Sequence, residues 1–338
     1  MRHGLRLLFV AFAVPLLLTA CGSLGSVVPS LPSTSSSPSS PSSPSSSSSP
    51  SPGAVTWVPA TQVSETALSL LITAQHSVVL DMYELGNPAL VAALVADQAR
   101  GLSVRVILDA TESQSAVSGR ALIAAGVPVR WDRVPHGIDH VKLLVVDGST
   151  TLLGGVNWGT SSSYTTDGDV LVARDALAAG YFAATWATLG GHSTAPPEGS
   201  GAWSGSALGT QMTALLAHAT TSVDVAANYL TSWTVQDALA AAVQRGVAVH
   251  VVLNPTAYGA HAAMVWLTAH GVTVRWAPTT PYLHAKILIV DGRTLWIGSS
   301  NFSYHGLSVN QELDTVVAMP PGVAAWWQAL WARSTPAS

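Results

Sequence analysis

At 338 residues the chain is long enough to bury one large core or two medium ones, and with 48% hydrophobic and 9% charged residues it is apolar throughout. Its formal charge of −4 argues against a general nucleic-acid binder, which needs a basic surface to meet phosphates. A single cysteine, Cys21, excludes an intramolecular disulfide.

Residues 1–20 carry Arg2 and Arg6 and then an apolar run from Leu7 to Leu18, interrupted by Pro15. That run is shorter than the roughly 20 apolar residues a bilayer span requires, so it reads as a secretory signal. The ending Leu18-Thr19-Ala20-Cys21 resembles the lipobox of bacterial lipoproteins. The resemblance implies cleavage before Cys21 and lipid on its thiol; the competing reading is an ordinary secreted protein with an incidental cysteine. Residues 21–53 are almost entirely Ser and Pro and end in Pro52-Gly53. Such a segment has too little apolar surface to offset its ordering entropy, and it reads as a disordered tether. The expectation is an extracytoplasmic body held near a bacterial membrane by a lipid anchor.

From residue 54 the pattern changes. Ser77 to Tyr83 reads as a strand, and Asn87-Pro88 opens a helix with a cap followed by proline at its first position, which stops at Gly101. Val104 to Leu108 is a buried strand, Ser115 to Ala125 a helix and Val127 to Trp131 a third strand. The same order returns about 145 residues later: Arg100-Gly101 matches Arg245-Gly246, Val106 to Asp109 matches Val251 to Asn254, and Gly126 to Trp131 matches Gly271 to Trp276. A repeat of this length is a duplicated domain. Alternating strands and helices make each half an α/β layer with a mainly parallel or mixed sheet. The halves are placed at 54–190 and 206–338, joined by a Gly-, Ser- and Pro-rich linker at 191–205.

Each half carries one motif. His140-Val-Lys142-Leu-Leu-Val-Val-Asp147 is followed after six residues by Gly154-Gly155-Val156-Asn157, and His284-Ala-Lys286-Ile-Leu-Ile-Val-Asp291 after the same gap by Gly298-Ser299-Ser300-Asn301. On a strand, residues two apart share a face, so each motif offers an imidazole beside an ammonium. A glycine-containing turn can aim the closing asparagine back at the same point. Lys142 and Lys286 are the only lysines among 14 basic residues. Lysine is a compact point charge that can approach one oxygen in a confined site, where arginine presents a wide planar fork. If two His-Lys-Asn sets converge, two ammonium groups and two amides surround one small anion, and phosphate suits them. Two imidazoles could then divide attack and protonation between them.

The paired His-x-Lys-x-x-x-x-Asp motifs, each with Gly-x-x-Asn at equal spacing, resemble the phospholipase D superfamily from about residue 55 to the end. The resemblance implies two α/β/α sandwich halves related by pseudo-twofold symmetry around one shared active site, and metal-independent cleavage of a phosphodiester through a covalent phosphohistidine. By the same resemblance, His140 attacks and His284 acts as general acid and then base. Lys142, Lys286, Asn157 and Asn301 hold phosphate oxygens. Asp167 and Glu312 fit by spacing the acidic residues that orient the histidines, from the same half or the opposite one. Asp147 and Asp291, before Gly148 and Gly292, read as turn-making residues. Gly155 departs from Ser299 of the second copy, a missing hydroxyl that could alter phosphate binding.

Most of the eleven histidines read as surface or loop residues, so neither metal nor cofactor is expected. His136 is a weaker candidate for the cleft. Trp131, Trp158, Trp276, Tyr282, Phe302 and Tyr304 flank the motifs as a candidate apolar entrance, with core packing equally good for Trp131 and Trp276. Trp326, Trp327, Leu330 and Trp331 form a one-sided stripe that fits packing on a sheet better than membrane insertion. The leading expectation is a membrane-tethered phospholipase D-like phosphodiesterase or phosphatidyltransferase acting on phospholipid, and monomeric because both motifs lie in one chain. A secreted nuclease of the same superfamily is the alternative, and a non-catalytic binding protein a third reading.

Overall fold

The computed structural model describes residues 54–161, 165–172, 176–189, 202–203, 205 and 207–337, which belong to one compact unit. The signal (1–20), the tether with Cys21 (21–53) and most of the linker (191–205) lie outside the described residues.

The N-terminal half runs β1 (Val55–Pro59), α1 (Ala60–Thr73), β2 (Ser77–Met82), α2 (Pro88–Ala99), β3 (Ser103–Asp109), α3 (Ser113–Ala124), β4 (Val129–Asp132), β5 (Lys142–Val146), β6 (Thr150–Gly154), β7 (Gly168–Val172) and α4 (Ala176–Thr188). The C-terminal half runs β8 (Ala202–Trp203), α5 (Ala207–Ala217), β9 (Ser222–Ala227), α6 (Trp233–Gln244), β10 (Ala248–Leu253), α7 (Ala260–Ala269), β11 (Thr273–Trp276), β12 (Lys286–Val290), β13 (Thr294–Gly298), α8 (Tyr304–Ser308), β14 (Asp314–Ala318), α9 (Val323–Arg333) and β15 (Thr335–Pro336).

Sheet order repeats between the halves. The first sheet reads β1-β7-β6-β5-β2-β3-β4, and the second, from its other edge, β8-β14-β13-β12-β9-β10-β11-β15. β2, β3 and β4 are parallel, as their helical crossovers require, whereas β5, β6 and β7 follow one another antiparallel. Each sheet is therefore mixed. The motif strand is central in both, flanked by β2 and β6 in the first half and by β9 and β13 in the second.

Alternation along the strands decides the layers. Val78, Leu80, Leu144 and Val146 face Leu71, Leu90, Leu94 and Leu122 of α1 to α3, while Val79, Leu143 and Val145 face Tyr181 and Phe182 of α4. Likewise Val223, Val225, Leu288 and Val290 pack with α5 to α7, and Ala226, Ile287 and Ile289 pack with Val323 and Leu330 of α9. Strands buried on both faces read as continuous apolar runs, as these do. The two inner layers meet at a seam: Leu313 joins the α4 layer, Val170 joins the α9 layer, and β13 lies against β6 and β7.

Asn87 caps α2 by accepting the Ala89 N–H at 3.0 Å, with Pro88 at the first turn, and Gly101 beyond the helix takes φ +86°. The tryptophan stripe of α9 turns inward, with Trp326 against Trp57 at 5.4 Å and Trp331 against His250 at 5.2 Å between ring centroids. Among the described residues no helix is long and apolar enough to cross a membrane.

Candidate active site

Lys142 and Lys286 are the first residues of β5 and β12, paired with Met82 and Ala227 of the neighbouring strands, and each is 1% exposed. The histidines stand just before these strands, and the backbone there crosses the seam. His140 N–H donates to the Gln311 carbonyl at 2.8 Å, and Gln311 N–H to Ile138 at 3.0 Å. The mirror arrangement has His284 N–H donating to Thr166 at 3.2 Å and Thr166 N–H to Tyr282 at 2.9 Å. Each motif histidine is thus pinned to the segment that precedes the acidic residue of the other half.

Those acidic residues are exchanged between the halves. His140 Nδ1 lies 2.9 and 3.0 Å from the two carboxylate oxygens of Glu312, and His284 Nδ1 lies 3.0 Å from Asp167 Oδ2. An ionised carboxylate only accepts, so with both acids ionised the proton is assigned to each Nδ1, which makes Nε2 the acceptor nitrogen. Glu312 also accepts from Asn310 Nδ2 at 3.0 Å, and Asp167 Oδ1 accepts from its neighbour Gly168 N–H at 2.8 Å. The question the sequence left open, whether each acid serves its own half, is answered by this crossing.

Electrostatically the site is a buried cationic nest. Burial brings the Lys142 ammonium down to about 7, with the charge of Lys286 acting the same way, and burial brings Lys286 down to about 8. Burial and the adjacent lysine charges push His140 well below 6.5 and His284 to about 4. Burial also lifts Glu312, against the pull of Lys142. Lys286 Nζ is 3.1 and 3.0 Å from Nδ1 and Nε2 of His284, so it sits over the ring rather than on either lone pair, and it donates to the His284 carbonyl at 2.6 Å. Lys142 Nζ donates to the His140 carbonyl and lies 5.1 Å from the centre of the Tyr83 ring.

The asparagines follow β6 and β13 on turns fastened by buried aspartates. Asp169 accepts the Val156 N–H at 3.1 Å and Asp314 the Ser300 N–H at 3.0 Å. Asn157 donates from Nδ2 to Glu84 Oε2 at 2.9 Å, and the Oδ1 atoms of both Asn157 and Asn301 are buried without a partner among the described residues. Gly155 has a spatial role: a Cβ there would stand 2.6 Å from Asp167 Oδ2. The Ser299 hydroxyl of the other copy accepts from Leu313 N–H at 3.0 Å, beside Glu312. The difference between the copies therefore makes room for a carboxylate.

Asp147 and Asp291 stand at the far ends of the motif strands, about 16 Å along the chain from the lysines. Both adopt left-handed φ, 52° and 54°, and each carboxylate accepts from three consecutive backbone N–H groups: Gln75, His76 and Ser77 in one half, Thr220, Thr221 and Ser222 in the other.

The sequence reading missed Tyr83 and Glu84. Tyr83 meets His140 edge-on at 5.2 Å and Tyr282 meets His284 edge-on at 5.9 Å. Both copies were read by their common motif, and Glu84 corresponds to Tyr229, so the repeat hides it. Also unmatched are Asp81 and Asp139, fully buried beside each other where the second half has Ala226 and Leu283; burial lifts both, Asp81 to about 7. Trp158 and Phe302 belong to the cores, and Trp276 packs against one. Trp131, His136 and Tyr304 line a groove of about 880 Å³ that reaches Asn310 and Gln311, beside the histidine pair rather than at it. Among the described residues no group of three or more His, Cys, Asp or Glu is arranged to hold a metal ion.

A family model described as "Cardiolipin synthase, PLD-like domain" matches residues 68–186 and again 212–332. A mitochondrial cardiolipin hydrolase of Xenopus tropicalis is 37% identical over 111 residues, 32% of this chain and 51% of that protein. A phospholipase D of Rickettsia bellii is 30% identical over 115 residues, 34% of this chain and 57% of that protein. The chain thus spans about half the length of these curated relatives. The crystal structure of a phosphatidylserine synthase from Haemophilus influenzae Rd KW20 shares the fold at a TM-score of 0.64 and 12% identity, covering 84% of this chain and 87% of that one.

Proposed function

The chain belongs to the PLD-like domain family, with two copies of the domain in one polypeptide, and from this membership we propose that it is a phosphodiesterase that cleaves or transfers the phosphatidyl group of phospholipids. The observation that carries the proposal is the crossed pair His140–Glu312 and His284–Asp167 around two buried lysines.

In this reading the phosphate of the diester enters between Lys142 and Lys286, with the Asn157 and Asn301 amides on its remaining oxygens. Its charge offsets the ammonium groups and raises the affinity of the histidines for a proton, so His284 takes up a proton at Nε2 as substrate binds. His140 Nε2 forms a bond to phosphorus as the bond to the alcohol oxygen breaks, and that oxygen leaves with the His284 proton. His284, now neutral, removes a proton from water or from a second alcohol, whose oxygen displaces His140 from phosphorus. Glu312 and Asp167 hold the rings and stabilise whichever imidazolium forms.

The paucity of basic residues and the names of the relatives support a lipid diester over a nucleic acid. The proposal includes a lipid anchor on Cys21, with the tether holding the body outside the cytoplasm beside a membrane; a mature chain that retains residues 1–20 would overturn it. Hydrolysis of phosphatidylglycerol and phosphatidylethanolamine in mixed micelles, assayed beside single-stranded and duplex DNA, tests the substrate. Lipid turnover is expected, falling by at least about 10³-fold in His140→Ala. DNA cleavage without lipid turnover would defeat the choice of lipid, and unchanged turnover in His140→Ala would defeat the mechanism.

A further inference from the structure

The two buried lysines are seated differently, and Tyr83 makes the difference. Tyr83 follows β2 directly, and its N–H donates to the Val141 carbonyl at 2.9 Å. At the same backbone position in the second half stands Asn228, whose N–H donates to the Ala285 carbonyl at 2.8 Å. The side chains at these matched places do unlike things. The Tyr83 ring takes the Lys142 ammonium 5.1 Å from its centre and meets the His140 ring edge-on at 5.2 Å. Asn228 gives its amide oxygen to Asn254 Nδ2 at 2.8 Å and has no aromatic face to offer Lys286. The Lys286 ammonium lies instead on its own histidine, 3.1 and 3.0 Å from the two ring nitrogens of His284. Lys142 Nζ donates to the His140 carbonyl, and among the described residues it makes no hydrogen bond to the His140 ring.

The backbone of Tyr83 is held from two sides. Besides the bond to Val141, the buried hydroxyl of Ser115 on α3 donates to the Tyr83 carbonyl at 2.6 Å and accepts the Leu85 N–H at 2.9 Å, where the second half has Ala260. Burial, and then the charges of Asp109, Glu112 and Glu84, push the phenol above its ordinary value, so the ring is neutral at any pH where a histidine titrates. A neutral aromatic face attracts an ammonium, most strongly where both are out of water. The charges acting on Lys142 are those of Glu312, Asp139 and Asp167, which favour its protonated form, and that of Lys286, which opposes it. The ring supports the ammonium without adding a charge to that set. Its place also matters for the neighbouring imidazole. His140 Nε2 has to reach phosphorus, and an ammonium 3.0 Å from it, as Lys286 stands to His284, would crowd that approach.

Resting on the function proposed above, we propose that Tyr83 is a positioning residue: its ring seats the Lys142 ammonium and keeps it off the His140 imidazole, leaving Nε2 clear for attack on phosphorus. Lysine labelled with carbon-13 at the ε-carbon tests the seat without any turnover, because Lys142 and Lys286 are the only lysines of the chain and give two signals. The signal lost in Lys142→Met is that of Lys142. In the wild-type protein its ε-protons are expected to show Overhauser contacts to the Tyr83 ring, and absence of those contacts overturns the inference. In Tyr83→Leu the pH at which the Lys142 signal titrates is expected to fall by about one unit, the Lys286 signal moving less, while Tyr83→Phe, which keeps the ring, brings Lys142 back toward the wild-type value. An unmoved Lys142 signal, or equal shifts of both lysines, overturns the inference. Turnover supplies an independent measure. With phosphatidylglycerol in mixed micelles, kcat is expected to fall by about 10²-fold in Tyr83→Leu, and Tyr83→Phe is expected to recover most of that loss. A kcat unchanged in Tyr83→Leu, or equal losses in the two variants, overturns the assignment to the ring. A wild-type protein that turns over no diester counts against the proposed function instead, and the lysine signals then decide the seat alone.

Discussion

Two ammonium groups held out of water beside each other are poor neighbours, and Lys142 and Lys286 are held so at 1% exposure. Without an anion between them they carry a desolvation penalty that the charges of Glu312, Asp167, Asp139, Asp314 and Asp169 and the histidine carbonyls offset. Lys142→Met is therefore expected to stabilise the ligand-free protein, on the order of 1–4 kcal/mol in denaturant unfolding without phosphate, while lowering diester turnover by about 10²–10³-fold. The pH dependence has a definite sign. The folded-state value of Lys142 lies at about 7, below its ordinary 10.5, so the unfolded chain binds more protons between these values and this lysine's contribution to stability rises with pH there. The anion site loses charge over the same range, beginning at about 7 for Lys142 and 8 for Lys286, while His284 is already neutral above about 4. Inhibition by sulfate, whose own charge is fixed over this range, should weaken steadily from about pH 7 upward as Lys142 and then Lys286 lose their protons; inhibition that strengthens with pH would contradict the assignment.

At the scale of the elements, the two copies share topology without being interchangeable. Gly155 follows β6 where the space is filled by Asp167, while Ser299 follows β13 and braces the backbone beside Glu312. Gly155→Ser, which makes the first copy read like the second, is expected to push the Asp167 carboxylate off His284. Turnover should fall by about tenfold or more, with a shift in the acid limb of the pH–rate profile and little change in KM. A purely local packing defect would lower stability and leave that limb in place. The hairpins β5–β6 and β12–β13 show what the motif aspartates do: their carboxylates tie each hairpin turn to the backbone entering β2 or β9, so the motif's acidic member secures the strand on which its lysine stands.

For the whole molecule, the duplication, the two motifs and the alternation of strands and helices were legible because they are local patterns, repeated. Strand ends were less so: Val127 reads as strand but packs in the turn before β4, and α1 and β1 lack a counterpart signal strong enough to read. The antiparallel run β5-β6-β7 follows from short connections that composition alone does not orient. Spacing proposed Asp167 and Glu312, but assigning them to histidines requires knowing that the chain returns across a seam, which no window of sequence contains. Glu84, Asp81 and Asp139 escaped because comparing the copies rewards what they share, and these three are where the copies differ.

That seam has a thermodynamic consequence. The backbone crossings at His140 and His284 and the exchanged carboxylates bridge the halves, and each half brings one lysine, so an anion bound among them would contact both and favour their association. A ligand that binds only the assembled form adds about 2.7 kcal/mol of stability at a hundred times its dissociation constant. Phosphate should raise the unfolding temperature of the wild-type protein in a concentration-dependent way and leave Lys142→Met nearly unmoved; equal shifts in both would place the bound anion elsewhere. A reactant held there would share in the cohesion between two halves of one chain.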